Sequence, residues 1–153
     1  MLHTAKAALF ALGSMTLAAT ASAVNLSFPS KETLKVPLNG QAVLNFAHPS
    51  GGTGDPDASG RVTLVVEPAK RRVCYDFAMS GVSTPIMAFI HQGSPLSNGP
   101  PIVALFTGPG GRLDGCARAN TGQLADMILY PSHYYVTVAT VEFPDGALRG
   151  QLG

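Results

Sequence analysis

Charged residues are scarce in this chain of 153 residues. Only 12% are Asp, Glu, Lys or Arg, and the formal net charge is +1. Disordered segments are usually rich in charge and poor in apolar residues, whereas 46% of this chain is hydrophobic, so the composition predicts a packed core. The near balance of charges excludes a protein that binds nucleic acid through a broad basic surface.

The motifs of common catalytic sites are absent. The chain has no Gly-x-Ser-x-Gly elbow, no Walker loop, no His-Glu-x-x-His helix and no dinucleotide-binding fingerprint. It also lacks a Cys-x-x-Cys pair. Since the residues show no assembled reactive constellation, we expect a protein that is not an enzyme and that carries no cofactor.

No apolar run is long enough to span a membrane comfortably. The longest covers residues 7–19 and is interrupted by Gly and Ser. Lys6 precedes it and Ala21-Ser22-Ala23 follows it, which is the pattern of a secretory signal peptide over residues 1–23. We therefore expect a secreted or periplasmic protein with no membrane span after cleavage, beginning with an N-terminal lead over residues 24–33.

The predicted export determines the expected redox state of the two cysteines, Cys74 and Cys116. In an oxidising compartment they are expected to form a disulfide, which would stabilise a fold of this size. A redox or catalytic thiol is the alternative, and the missing Cys-x-x-Cys motif makes it the weaker one.

Glycine and proline are abundant, with 17 and 12 residues. Between them lie short segments in which apolar and polar residues alternate, such as Arg72 to Met79, and this pattern is typical of strands. One segment has helical spacing, near residues 121–130 after Asn120. These features predict an all-β, immunoglobulin-like antiparallel β-sandwich of seven to nine short strands with one short helix.

Three kinds of candidate site can be read from the chain. Asp55, Asp57 and Ser59 begin like a calcium-binding loop, but Val66 stands where a bidentate Glu would close it, so calcium is a weak candidate and an Asx turn is the alternative. His91 ends an apolar strand and is a candidate binding residue or a structural hydrogen-bonding group. Arg149 is a candidate for an anionic ligand or a clamp that holds the last strand. No other metal site is predicted.

Several motifs together resemble the CHRD (chordin) domain family, and the resemblance runs from about residue 34 to residue 152. They are GDPDASG (54–60), VCYDF (73–77), AFIHQG (88–93), NGP (98–100), GC (115–116), YYVTV (134–138) and FPDGALRGQL (143–152). The resemblance implies an exported, β-rich, immunoglobulin-like domain, here over residues 34–153, of the kind found in bacterial secreted proteins and in the animal antagonist chordin.

The chain departs from the family pattern, which has Ala-His-Ile-His-x-Gly in a middle strand and Tyr-Val-Asn-Val-His near the end. Phe89 replaces the first histidine, Thr137 the asparagine and Ala139 the last histidine, while His91 remains. We therefore expect a non-enzymatic module that acts by binding or structural interaction with an unknown protein or polysaccharide. A metal-dependent enzyme like copper/zinc superoxide dismutase is the alternative, disfavoured by the two replaced histidines.

Overall fold

A computed structural model of the chain describes residues 30–44 and 54–153. This part contains eight strands and one α-helix. Their bounds are β1 (Glu32–Asn39), β2 (Ser59–Glu67), β3 (Arg72–Ser80), β4 (Pro85–Gln92), β5 (Pro101–Thr107), β6 (Asp114–Arg118), α1 (Thr121–Leu129), β7 (Tyr134–Thr140) and β8 (Leu148–Gln151).

Alternation in the sequence decides which face of each strand enters the core. In the antiparallel pair of β2 and β3, Leu64 lies opposite Tyr75 and Val62 lies opposite Phe77, and all four side chains are buried. The intervening residues point to the other face of the sheet, because successive side chains of a strand alternate. Burial of the apolar set thus fixes the register, since a slip of one residue would expose it.

The strands form one antiparallel sheet in the order β5-β4-β7-β8-β1-β2-β3-β6. Its two four-stranded halves are joined between β8 and β1, where the register has a single pair, Asn39 opposite Arg149. The ends of the sheet approach each other, because Phe106 of β5 packs against Tyr75 and Phe77 of β3. The predicted all-β antiparallel class, with seven to nine strands and one short helix, is confirmed. Its two layers are halves of one nearly closed sheet.

Helix α1 occupies nearly the predicted segment. The Asn120 side chain accepts a hydrogen bond from the Gly122 N–H and caps the helix, and Pro131 follows its end. Leu124 and Met127 are fully buried, three residues apart on one face. The helix therefore contributes a short apolar stripe to the core.

The Cys74–Cys116 disulfide is present, as predicted. It joins residues that lie directly opposite each other on β3 and β6. The same face carries two like-charged pairs, Arg72 opposite Arg118 on one side of the disulfide and Asp76 opposite Asp114 on the other. Like charges in direct opposition disfavour strand pairing, so the covalent bond holds β6 where these pairs alone would weaken it.

The predicted signal peptide and residues 24–29 of the predicted lead lie outside the described residues. Strand β1 begins at Glu32, two residues before the expected start of the domain. No helix in residues 30–44 and 54–153 is long and apolar enough to cross a membrane. After β1 the chain makes a 3₁₀ turn over Gly40–Ala42, and the Asn39 side chain caps this turn by accepting the Ala42 N–H.

Candidate functional site

Strands β4, β7 and β8 bring two of the sequence-predicted residues to one place. His91 of β4 lies opposite Tyr135 of β7, and Arg149 of β8 lies opposite Thr137, two residues further along β7. The neighbouring residues Ile90 and Val136 are buried in the core, so these four side chains are on the opposite, outer face of the sheet.

The ring of Tyr135 lies between His91 and Arg149. The imidazole stacks on the phenol with 4.8 Å between ring centroids and 10° between ring planes. From the strand on the other side, the Arg149 guanidinium carbon lies 3.7 Å from the centre of the same ring. The negative face of an aromatic ring attracts a guanidinium, so Tyr135 stabilises the positive charge and orders both neighbours.

Arg149 is only 2% exposed, and the loop over residues 93–100 covers it. Its guanidinium donates hydrogen bonds to the carbonyl oxygens of Ser94 and Ser97, both at 2.9 Å, and to Asn98 Oδ1 at 2.8 Å. In the described part of the chain no carboxylate pairs with it. Neutral oxygens and the Tyr135 ring thus compensate this buried charge, and the arginine acts as a clamp between β8 and the loop.

His91 is held at both ring nitrogens. Nδ1 lies 3.0 Å from the Gly99 carbonyl oxygen and Nε2 lies 2.9 Å from Thr137 Oγ1. A carbonyl only accepts, so Nδ1 carries a proton, and in the neutral imidazole the Thr137 hydroxyl donates to Nε2. Burial lowers the pKa of His91, and the positive charge of Arg149 lowers it further, against the opposing effect of the Gly99 bond. The folded protein therefore favours the neutral imidazole over the imidazolium ion.

Gly99 brings the loop close enough for these bonds. A Cβ atom at this position would lie 1.6 Å from the Gln92 carbonyl oxygen, so no other residue fits without moving the backbone. The Gly99 N–H donates to the Tyr135 hydroxyl at 2.9 Å, in addition to the bond between the Gly99 carbonyl and His91. The loop is consequently anchored to β4, β7 and β8 at several points.

A cavity of about 200 Å³ opens beside this cluster. His91, Thr137 and Asn98 supply polar groups, and Val43 and Leu44 supply an apolar wall. The remaining lining residues are Gly99, Tyr135, Asp145 and Arg149. Asp145 is exposed at the rim. An apolar wall with a few fixed polar groups is the usual composition of a small-molecule site.

The positions that carry histidine in the family pattern fall on the same outer face. Phe89 lies opposite Thr137 and Met87 lies opposite Ala139. A histidine at 89 or 139 would therefore project on the same side of the sheet as His91. In this chain an aromatic ring and a methyl group occupy those places. No three His, Cys, Asp or Glu side chains of the described segments come together as metal ligands.

The residues of the weak calcium candidate are engaged separately. Asp55 Oδ1 accepts the Asp57 N–H at 3.1 Å, which forms an Asx turn. The Ser59 hydroxyl lies 3.4 Å from the hydroxyl of Ser80 on β3. The Asx turn and this contact between strands account for two of the three residues without a cation.

Sequence reasoning did not find Tyr135 or Asn98 as members of the site. Asn98 meets Arg149 across 51 positions of the chain, and no local spacing encodes that contact. The available signal was the 93–100 loop itself, because its two serines, Asn98 and Gly99 follow directly after the strand that carries His91.

Comparison with known proteins agrees with the resemblance in the sequence. The family model of the CHRD domain matches residues 34–152. No curated protein and no solved structure matches the chain. The family model covers all eight strands apart from the first two residues of β1, and it includes His91, Tyr135, Thr137 and Arg149. The chain therefore belongs to the CHRD domain family.

Proposed function

We propose that this protein is an exported, non-enzymatic binding module and that its ligand enters the cavity beside His91, Tyr135 and Arg149. The observation that carries the proposal is the convergence of these side chains on one cavity. The CHRD domain is in general a non-catalytic module. Export is supported by the signal-like sequence of residues 1–23 and by the disulfide.

The size of the cavity favours one unit of a larger partner. Sites that enclose a drug-sized molecule usually measure about 300–1,000 Å³, whereas this cavity measures about 200 Å³. One sugar unit of a polysaccharide, or one side chain of a protein, suits that volume better than a cofactor. The polar groups already have internal partners, so they would orient a ligand through their remaining hydrogen-bonding capacity.

A screen of the wild-type protein against an oligosaccharide array and a peptide array tests the proposal. Thr137→Val keeps the shape of the side chain and removes the hydroxyl that the cavity presents. We expect it to weaken binding of the selected ligand about tenfold, because the ligand loses the Thr137 hydroxyl and His91 Nε2 loses the partner that orients it. Thr33→Val, on the exposed part of β1, is the matched control and leaves binding unchanged.

Metal analysis of the same preparation separates this proposal from the enzyme alternative. A non-enzymatic module is expected to contain no stoichiometric copper or zinc. Stoichiometric metal that disappears in His91→Ala would overturn the proposal in favour of metal chemistry. A ligand whose affinity is equal in wild type and Thr137→Val would place binding elsewhere on the molecule.

A further inference from the structure

A second cavity, of about 250 Å³, lies in the other half of the sheet. Arg71, Arg118 and Ala119 line it. It belongs to the end of the sheet where β2 turns into β3 and where β6 ends, and it includes none of the residues around His91.

Positive charge accumulates at this end of the sheet. Lys70, Arg71, Arg72 and Arg118 are four of the ten Lys and Arg residues of the chain. Arg72 and Arg118 are directly opposite on β3 and β6, and Arg71 precedes Arg72. In a chain with nearly balanced charge, this is an uneven distribution, and cations placed side by side repel one another.

One carboxylate forms ion pairs with two of these cations. Glu67 is buried, and its two oxygens accept hydrogen bonds from Lys70 Nζ at 2.7 Å and Arg72 Nε at 2.6 Å. Hydrogen bonds from Lys70 and then Arg72 lower the pKa of Glu67 to about 2, so it is ionised at every ordinary pH. Both carboxylate oxygens of Glu67 are therefore occupied by bonds to Lys70 and Arg72.

Arg71 and Arg118 have no such partner. Both are exposed, and no carboxylate of residues 30–44 or 54–153 forms an ion pair with either. The first turn of helix α1, which follows Ala119, also contains no acidic residue. Two arginine residues thus line one cavity, and neither forms an ion pair with a carboxylate of the described chain.

The backbone holds Arg71 in this position in an unfavourable conformation. Its φ is +53°, in the left-handed region, and it is the only non-glycine residue with positive φ in the described segments. The Arg71 N–H donates to the Pro68 carbonyl oxygen at 3.0 Å, and its own carbonyl accepts the Ala119 N–H at 3.1 Å. Glycine would adopt this left-handed backbone conformation at a lower cost in free energy. The position nevertheless carries an arginine.

We infer that Arg71 and Arg118 bind a phosphate or sulfate group in this cavity. Guanidinium groups are planar and present paired N–H donors, which match the oxygens of a tetrahedral oxyanion. A bound dianion would also relieve the repulsion between Arg118 and Arg72. This site is independent of the proposed binding at the His91 cavity, so either one can fail without the other.

Titration of the ¹⁵N-labelled protein with sodium phosphate and sodium sulfate tests the inference. Ionic strength is held constant with sodium chloride. We expect saturable shifts in the amide signals of Arg71, Arg72, Arg118 and Ala119. Arg118→Gln should weaken binding about tenfold, and the double variant with Arg71→Gly should abolish saturation. Arg61→Gln, which removes an exposed arginine of β2 that pairs with no carboxylate of the described segments, is the matched control and should change the affinity less than twofold.

Arg71→Gly has a second readout that a merely structural arginine would not give. Relief of the left-handed backbone should raise Tm by about 2–4 °C while the affinity for phosphate falls. A fall in Tm, or shifts that rise linearly without saturation, would overturn the inference. An equal loss of affinity in Arg61→Gln would also overturn it, because it would indicate diffuse charge attraction.

The same assay identifies the source of the anion. A sulfated oligosaccharide that displaces inorganic sulfate and binds at least tenfold more tightly would assign the group to an acidic polysaccharide. Equal affinity for the oligosaccharide and for inorganic sulfate would assign the site to the free ion. Both results require Arg71 and Arg118, and binding that persists in the double variant contradicts both.

Discussion

The environment of Arg149 differs from that of Arg71 and Arg118 in burial and in hydrogen bonding. Arg149 is buried and has no ion pair with a described carboxylate, yet three neutral oxygens and an aromatic ring surround its guanidinium. Arg71 and Arg118 are exposed and border an open cavity. The burial of a charge and its availability to a ligand are therefore separate properties. An arginine whose donors are occupied organises a site, and an arginine with open donors can recognise a partner.

The largest effect is expected from removing the buried clamp. Arg149→Met should lower the free energy of unfolding by about 4 kcal/mol, because the Ser94 and Ser97 carbonyls and the Asn98 side chain lose a charged donor. Urea unfolding measures the change. Arg61→Met, at an exposed position, should change it by less than about 0.5 kcal/mol. Equal losses in the two variants would contradict the contrast between buried and exposed arginines.

Replacing both cysteines by alanine should have the next largest effect, about 3 kcal/mol, because the bond closes a long loop in the unfolded chain. In the native state, removal of the disulfide should mainly loosen strand β6. Hydrogen exchange is expected to quicken in β6, where like charges oppose each other, and phosphate binding should weaken because Arg118 is carried by that strand. Exchange in β4 and β7 should stay slow. Uniform acceleration over all strands would show that the disulfide supports the whole sheet equally.

The smallest predicted effect is the pH dependence that His91 gives to the free energy of unfolding. Its pKa is lower in the folded than in the unfolded protein, so the unfolded chain binds more protons as pH falls below about 6.5. The stability contributed by neutral His91 is therefore complete above that pH and is lost on acidification. Unfolding measured between pH 7.5 and 5 should show the loss in wild type. It should be reduced in His91→Gln and retained in His133→Gln, and the reverse result would contradict the assignment.

The fold was more predictable than the site because it depends on local pattern. The alternation of Val73, Tyr75 and Phe77 predicts a strand with one buried face, and Asn120 with Pro131 brackets the helix. The alternation carries no information on strand order. The closure of both layers into one sheet therefore emerges only from the pairing of β8 with β1.

The candidate site was predictable residue by residue and not as an assembly. His91 and Arg149 stand out singly as a histidine at a strand end and an arginine in a chain with little charge. Their common partner, Tyr135, is one of three aromatic or imidazole residues in the stretch 133–135, and nothing local distinguishes it. Side chains that are about 40 to 60 positions apart in the sequence meet because antiparallel strands align them, and that alignment is a tertiary property.

The position of the disulfide along the chain also bears on proteolysis. The segment between Cys74 and Cys116 contains β4, the 93–100 loop and β5. A protease that cuts this loop, which covers Arg149, cuts inside a covalent ring. The two pieces would stay joined until a reductant acts, so a nicked molecule would migrate as an intact chain on a non-reducing gel and as two fragments on a reducing one.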